Sequence, residues 1–474
     1  MAGYTPMPRC EDKYDDIYGF AILMCDDGTP KDNNASDSSI LLVSMDFLQI
    51  PGSFTDYIRK KIHERYGIDE STILVHATHT HKSFDLNGFF VFGGNYPGLV
   101  KGIIRGSYER SADKYKIWIT NQLIELVGRL FKHLRPAEFA WKKEVFQTPL
   151  ALDRVRRRVS EQPISIIGLR DPTTKKYFGL ICSYGIHPTT IRAFDKKLSA
   201  EYPGRFVEYI ERETDNEIRP VFFTGPAGNM APNGVFLKLK LIEEERWDQK
   251  ERGIFGPKKT YVLAEKTGEL IAIKALEMLD ALNDDEFYEH FNVSSNIRHF
   301  KVPMRDFSKH WSNTLTRFSN SVGFLIKRCL AMSLSFLLQK SHKPNFPTFK
   351  ITKNGDRFVA ETHIQSLIIQ ATKHNTEETI HKNLIILGVP GELFGDLAQR
   401  VYRTSPMGGR NTLIFQAAND WIAYLFSLEH YIKVGGYEPF ASFSPVSGTY
   451  VVKHVEDIWQ NIKNQKLYKE GSEK

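Results

Sequence analysis

Cysteine is scarce in this sequence. Its 474 residues include four, Cys10, Cys25, Cys182 and Cys329, and no two of them form a C-x-x-C pair. That argues against a cysteine-built zinc cluster or a dithiol redox motif, and it fits a reducing compartment. Long apolar runs are missing too: no stretch of about 18 uncharged apolar residues occurs, so no segment reads as a membrane-spanning helix. The longest candidate, 329–338, follows Lys327-Arg328 and reads as a core helix or as one lying on a lipid surface. The first residues, MAGYTPMPRCEDKYDD, lack a basic segment followed by an apolar one, so the sequence predicts no secretory signal and a cytoplasmic protein. The net charge of +7 is dispersed, with no Lys/Arg stripe interleaved with aromatics. This argues against a nucleic-acid partner and leaves anionic surfaces such as a membrane face.

What is present is ordinary globular composition, 41% hydrophobic and 25% charged. Apolar runs at 17–25, 39–50 and 72–76 predict buried strands. Between the last two, Phe54, Tyr57, Ile58 and Ile62 recur at helical spacing, with Ser53 as a candidate N-cap. Strand, helix, strand suggests a parallel crossover. A long amphipathic helix is expected over 108–133, followed by strands at 137–142, 163–169, 177–184 and 219–224, with a helix over 202–213. Residues 237–260 look charged and irregular. Helices are expected over 261–282, 306–340, 393–403 and 449–465, and strands over 290–305, 357–372, 383–389 and 411–416. No repeat or linker divides the chain. The predicted fold class is therefore α/β, mixed β-sheets flanked by helices in a single large domain over 1–474, with an insert-like helical region at about 237–345.

The chemistry gathers at strand ends. Val75-His76-Ala77-Thr78-His79-Thr80-His81 places three histidines within six residues, directly after Ile73-Leu74-Val75. The stretch reads as a buried strand that delivers His79 and His81 on one face at its C-terminal end, because side chains alternate with a period of two. Two readings stand: a metal or catalytic site, or histidines with ordinary hydrogen bonds. His187 sits past the strand 177–184, before Pro188, and Glu392 sits past the strand 383–389. Two histidines and a carboxylate suffice for catalytic zinc, with bonds of about 2.0–2.2 Å and one position left for water. The basic run 152–158 is either a solvated loop or the source of one anion-contacting arginine.

The ordered succession His79-Thr80-His81, Ile186-His187-Pro188, Gly228-Asn229-Met230-Ala231-Pro232-Asn233, Pro390-Gly391-Glu392 and Asn419 to Tyr424 resembles the catalytic domain of the neutral/alkaline, non-lysosomal ceramidases. So do Leu134-Arg135-Pro136-Ala137, Tyr202-Pro203-Gly204 and Gly435-Gly436-Tyr437-Glu438. The resemblance spans about residues 3–465 and implies a zinc-dependent amidohydrolase cleaving the N-acyl bond of a sphingolipid. Carried over by position, it implies Zn2+ held by His79, His187, Glu392 and Tyr424. His81 and Tyr437 would contact the developing oxyanion, and Arg154 would stand on the substrate side, with Arg156 and Arg157 as competitors. His76 and Trp421 are expected to be structural.

The departures are specific. The family's Gly-Asp-x-Ser-Pro-Asn turn has Ala231 where the serine stands, and its Ser-Gly-Pro after the His-x-His is Lys82-Ser83-Phe84 here. No immunoglobulin-like domain is expected after the catalytic one. A metal-activated water survives the loss of that serine, whereas a serine nucleophile does not. Besides hydrolysis, the sequence leaves open a non-catalytic zinc-bearing lipid-binding protein and an intracellular acyltransferase. The expected partner is a lipid-like N-acyl substrate, with peripheral membrane contact.

Overall fold

The computed structural model describes residues 10–464 except 27–37, 85, 87–106, 194, 245–256, 305–345, 347–349, 355–356, 375–378, 434–437 and 443. Tyr437, the helices expected over 306–340 and the apolar stretch 329–338 lie outside the described residues.

In chain order, strands β1 (Gly19–Cys25) and β2 (Ser39–Met45) lead into helix α1 (Gly52–Tyr66) and strand β3 (Ile73–Ala77). Helix α2 (Ser107–Lys132) follows, then β4 (Glu138–Phe146), β5 (Ala151–Asp153), β6 (Gln162–Arg170) and β7 (Tyr177–Tyr184). Next come α3 (Glu201–Glu213), β8 (Arg219–Thr224), β9 (Met230–Pro232), α4 (Gly234–Glu243) and α5 (Pro257–Asp280). The last third carries β10 (His290–Pro303), β11 (Lys350–Asn354), β12 (Arg357–His374), β13 (Thr379–Gly388) and β14 (Glu392–Leu393). It ends with α6 (Gly395–Thr404), β15 (Thr412–Phe415), β16 (Tyr424–Leu425) and α7 (Ser447–Asn464).

The α/β reading holds, with mixed sheets. One sheet is ordered β1-β2-β3, with β2 and β3 parallel as the crossover requires. A second runs β8-β7-β6-β4, and a third β10-β12-β13-β15 with β11 on β12. Alternation along the strands explains the layering. Ile40, Leu42 and Leu74 enter one core with Ile167, Val221 and Phe223 of the second sheet and Leu367, Ile386 and Phe415 of the third. Their neighbours Leu41, Val43 and Val75 face the opposite way, onto Phe54 and Ile58 of α1, Val127 of α2 and Val455 of α7. The far side of the second sheet packs on α3 and α5 through Ile166, Leu180, Phe206 and Ile271. The inner strands β2 and β3 are buried on both faces, which is why their runs look continuously apolar, whereas β10 alternates between exposed and covered positions.

Three local expectations are corrected. Ser53 does not cap α1. The helix starts after Pro51, and its Gly52 N–H is taken by the distant Asp420 carboxylate at 2.8 Å. The charged region expected to be irregular opens as helix α4, because the Asn233 side chain caps it by accepting the Phe236 N–H. The strand predicted over 137–142 runs on to Phe146, held by antiparallel pairing with β6 through Phe146–Gln162.

Candidate metal centre

The C-terminal ends of β3, β7, β8, β13 and β15 meet at one edge. The Thr224 hydroxyl, closing β8, donates to the Thr78 carbonyl after β3 at 2.7 Å. Ala77 donates its N–H to Ala417 after β15 at 3.1 Å, and Val389 after β13 donates to Phe415 at 2.9 Å. This is the edge at which open α/β sheets build sites.

The histidine stretch is not a continued strand. Strand β3 stops at Ala77, and His79 takes a left-handed backbone, φ 69°. A non-glycine residue pays for that conformation, and such strain collects at functional positions. The expected alternation is thus replaced by a turn, fixed by His79 N–H to Phe47 O at 2.9 Å. The turn still brings the His79 and His81 rings together, with centroids 5.0 Å apart.

Three atoms converge. His79 Nε2 and His187 Nε2 lie 3.3 Å apart. Glu392 Oε2 lies 3.3 Å from the first and 3.2 Å from the second. The remaining nitrogens show what these atoms carry. His79 Nδ1 is 2.7 Å from the Leu48 carbonyl, and His187 Nδ1 is 2.9 Å from the Ala227 carbonyl. A carbonyl only accepts, so both Nδ1 atoms are protonated, and in a neutral ring so held the facing Nε2 is left with a lone pair. Two lone pairs and a carboxylate oxygen aimed at one point are repulsive unless a cation sits between them. Tetrahedral ligands of a metal at about 2.0 Å stand about 3.3 Å from one another, and the measured triangle has that size. The donor set therefore fits a metal ion.

The protonation states agree. Burial pushes His187 down to about 4, so its ring is neutral. That is the form a metal takes up.

The other expected residues take distinct places. His81 is buried, and its ring nitrogens and those of His79 and His187 include a set that all lie within 4.8 Å of one another. Burial, with the two neighbouring histidines, holds its pKa well below the ordinary value. Tyr424 is buried beside His187, with ring centroids 6.2 Å apart, and is the strand partner of Glu392 in the β14–β16 pair. Arg154 is the arginine turned inward. Its Nη2 donates to Gly228 O at 2.6 Å and lies 3.6 Å from Glu438 Oε1. Arg156 and Arg157 are exposed. His76 is structural: its Nδ1 is 2.9 Å from Ser44 Oγ, and its Nε2 accepts the Thr224 N–H at 3.1 Å.

The Gly228 turn is packed against the Glu392 backbone. A Cβ at Gly228 would meet Glu392 O at 2.4 Å, so only glycine permits the approach. Ala231 follows Met230, whose carbonyl accepts the His187 N–H at 2.9 Å. Sequence reasoning missed the carbonyls of Leu48 and Ala227, since a backbone acceptor leaves no trace in residue type. It also took Trp421 as packing alone, whereas its indole N–H reaches Glu392 Oε1 at 3.1 Å.

No protein-family model and no curated protein sequence matches this chain. Solved structures do. The crystal structure of neutral ceramidase from Pseudomonas aeruginosa superposes with a TM-score of 0.60 at 16% identity, over 91% of this chain and 68% of that one. A ceramidase complexed with C2 gives a TM-score of 0.62 at 12% identity, over 97% of this chain and 72% of that one. The chain has the fold of the neutral ceramidases.

Proposed function

We propose that the protein is a zinc-dependent hydrolase that cleaves the amide bond of a ceramide-like N-acyl lipid. The observation that carries the reading is the triangle of His79 Nε2, His187 Nε2 and Glu392 Oε2, with both tautomers fixed by backbone carbonyls. The ceramidase fold around it supports the substrate class. Nitrogen and carboxylate donors favour zinc, with Tyr424 as the fourth protein ligand beside His187 and a fifth position left for water or the substrate carbonyl.

A zinc ion bound there would polarise the scissile carbonyl and lower the pKa of a water towards about 7. The residues of the chain divide the remaining work. Glu392 supplies the single negative charge among the ligands. His81, neutral and buried beside His79 and His187, contacts the oxygen that gains charge as the carbonyl is attacked; such contacts are usually the largest catalytic term. Tyr437 is proposed to share that role. Arg154, anchored on the Gly228 turn, holds the polar head of the substrate. The lipid-like substrate brings peripheral membrane contact into the same proposal.

The test is metal analysis of the purified protein together with hydrolysis of fluorescent N-acyl sphingolipids. Near-stoichiometric zinc and metal-dependent release of fatty acid are expected. Full activity in a metal-free His187→Ala protein would overturn the reading. Ala231 favours a second one, a zinc-bearing lipid-binding protein without turnover, because no hydroxyl stands there to orient water. It predicts tight lipid binding by the metal-loaded form, no product, and no gain on Ala231→Ser.

A further inference from the structure

We infer that Trp421 is a positioning residue that makes Glu392 a one-oxygen ligand and thereby keeps a coordination position open. The inference rests on the assignment of His79, His187 and Glu392 as a metal site. A carboxylate beside a metal can bind through one oxygen or through both. If Glu392 bound through both, the second oxygen would take the place that water or a substrate carbonyl needs.

The geometry separates the two oxygens. Oε2 faces the histidine nitrogens at 3.2 and 3.3 Å, whereas Oε1 accepts the Trp421 indole N–H at 3.1 Å. Glu392 and Trp421 are 2% and 4% exposed, so water does not compete for that bond.

The residue bearing the indole belongs to a densely hydrogen-bonded loop. Asn419 has a left-handed backbone, φ 65°, and is pinned to β3 from both sides: its N–H donates to Val75 O at 2.6 Å, and its Oδ1 accepts the Val75 N–H at 2.9 Å. Its Nδ2 donates to Gln365 Oε1 at 2.7 Å, which also accepts from Arg59 Nη2 at 2.9 Å. Asp420 Oδ1 accepts two N–H groups, Trp421 and Gly52, each at 2.8 Å, and Oδ2 accepts the Thr362 hydroxyl at 2.8 Å. The residue bearing the indole is thus fixed to the start of α1, to β3 and to β12. A donor on so stiff a mount selects one carboxylate orientation rather than following it.

The experiment compares wild-type protein with Trp421→Phe, which removes the N–H, and with protein in which the indole is replaced by benzothiophene, which keeps the ring shape and removes only the donor. Readouts are the zinc dissociation constant by competition with a chromogenic chelator, the visible spectrum of the Co2+-loaded forms, and thermal unfolding of the metal-free forms. Both replacements are expected to weaken zinc binding by about 10- to 100-fold. They should also shift the Co2+ bands to the weaker absorption of a higher coordination number, as Glu392 swings to bind through both oxygens. Metal-free unfolding should stay near wild type for the benzothiophene form. Unchanged affinity and an unchanged Co2+ spectrum in that form would overturn the inference, even if Trp421→Phe fails to fold. A wild-type protein that binds no zinc or Co2+ would overturn the metal-site assignment instead.

Discussion

Two histidine pairs on this fold have nearly the same spacing and opposite chemistry. The His79 and His187 ring centroids are 4.8 Å apart, and those of His299 and His363 are 5.1 Å apart. The first pair faces a carboxylate oxygen at 3.2–3.3 Å. The second pair faces an arginine, with Arg59 Nη1 3.3 Å from His363 Nε2. In the first pair backbone carbonyls take the Nδ1 protons and lone pairs converge. In the second, one lone pair already points at a cation that belongs to the chain. Ring proximity alone therefore does not identify a site; what the far nitrogen of each ring bonds to does.

The widest gap between the pairs should appear on removing a ligand. His187→Ala is expected to weaken zinc binding by more than about a hundredfold, since loss of a ligand exceeds the effect of its supporting shell. His363→Ala, at a residue linked to the site through Arg59 and Gln365, should lower zinc affinity by less than about tenfold. Isothermal titration with Zn2+ measures both, and equal losses would end the distinction.

Charge sharpens the comparison next. Glu392→Gln keeps the shape and removes the anion from the triangle, so zinc affinity should fall at least tenfold while the metal-free protein unfolds at the same temperature or higher. The reason is that a buried carboxylate facing neutral imidazoles is costly without its cation. Calorimetry of the two metal-free proteins reads this directly. A fall in stability on that substitution would mean that the carboxylate is satisfied without metal.

Chelation gives a smaller effect. At free zinc a hundredfold above the dissociation constant, binding stabilises the fold by about 2.7 kcal/mol. Adding a chelator should lower the unfolding temperature of wild type and of His363→Ala by several degrees, and leave His187→Ala unmoved.

The smallest effect concerns acid. Burial, then the charges of Arg59 on α1, His299 on β10 and Lys350 on β11, hold His363 well below its ordinary value of 6.5. The unfolded chain binds a proton near pH 6.5 that the folded chain refuses. Stability from this group is therefore intact above about pH 6.5 and falls as the pH drops below it, by at most about 1.4 kcal/mol per unit. His363→Phe should flatten that part of the acid limb, measured by urea unfolding of the chelated proteins between pH 5 and 7. An unchanged slope would show that His363 is not the titrating group.

Much of the molecule was legible in residue order. Apolar runs located the inner strands because burial on both faces demands continuous hydrophobicity, as in Ser39–Met45 and Ile73–Ala77. His79, His187 and Glu392 stood out because each follows such a run. The turn at His79 was not legible: its left-handed backbone is fixed by contacts with residues 47 and 48 and with a glutamate more than 300 residues away. Trp421 looked like packing because an indole is mostly apolar, and only the fold reveals which atom its one N–H meets.

The sequence by itself determined which elements form and which chemical groups end up at the strand ends, because periodicity and residue type are local properties. Tertiary structure decided which nitrogen of each histidine faces the centre, which arginine turns inward, and which oxygen of Glu392 faces the histidine nitrogens. Those choices depend on carbonyls, an indole N–H and a glycine-permitted approach contributed from distant parts of the chain. The energy of each depends on burial that exists only once the sheets have packed.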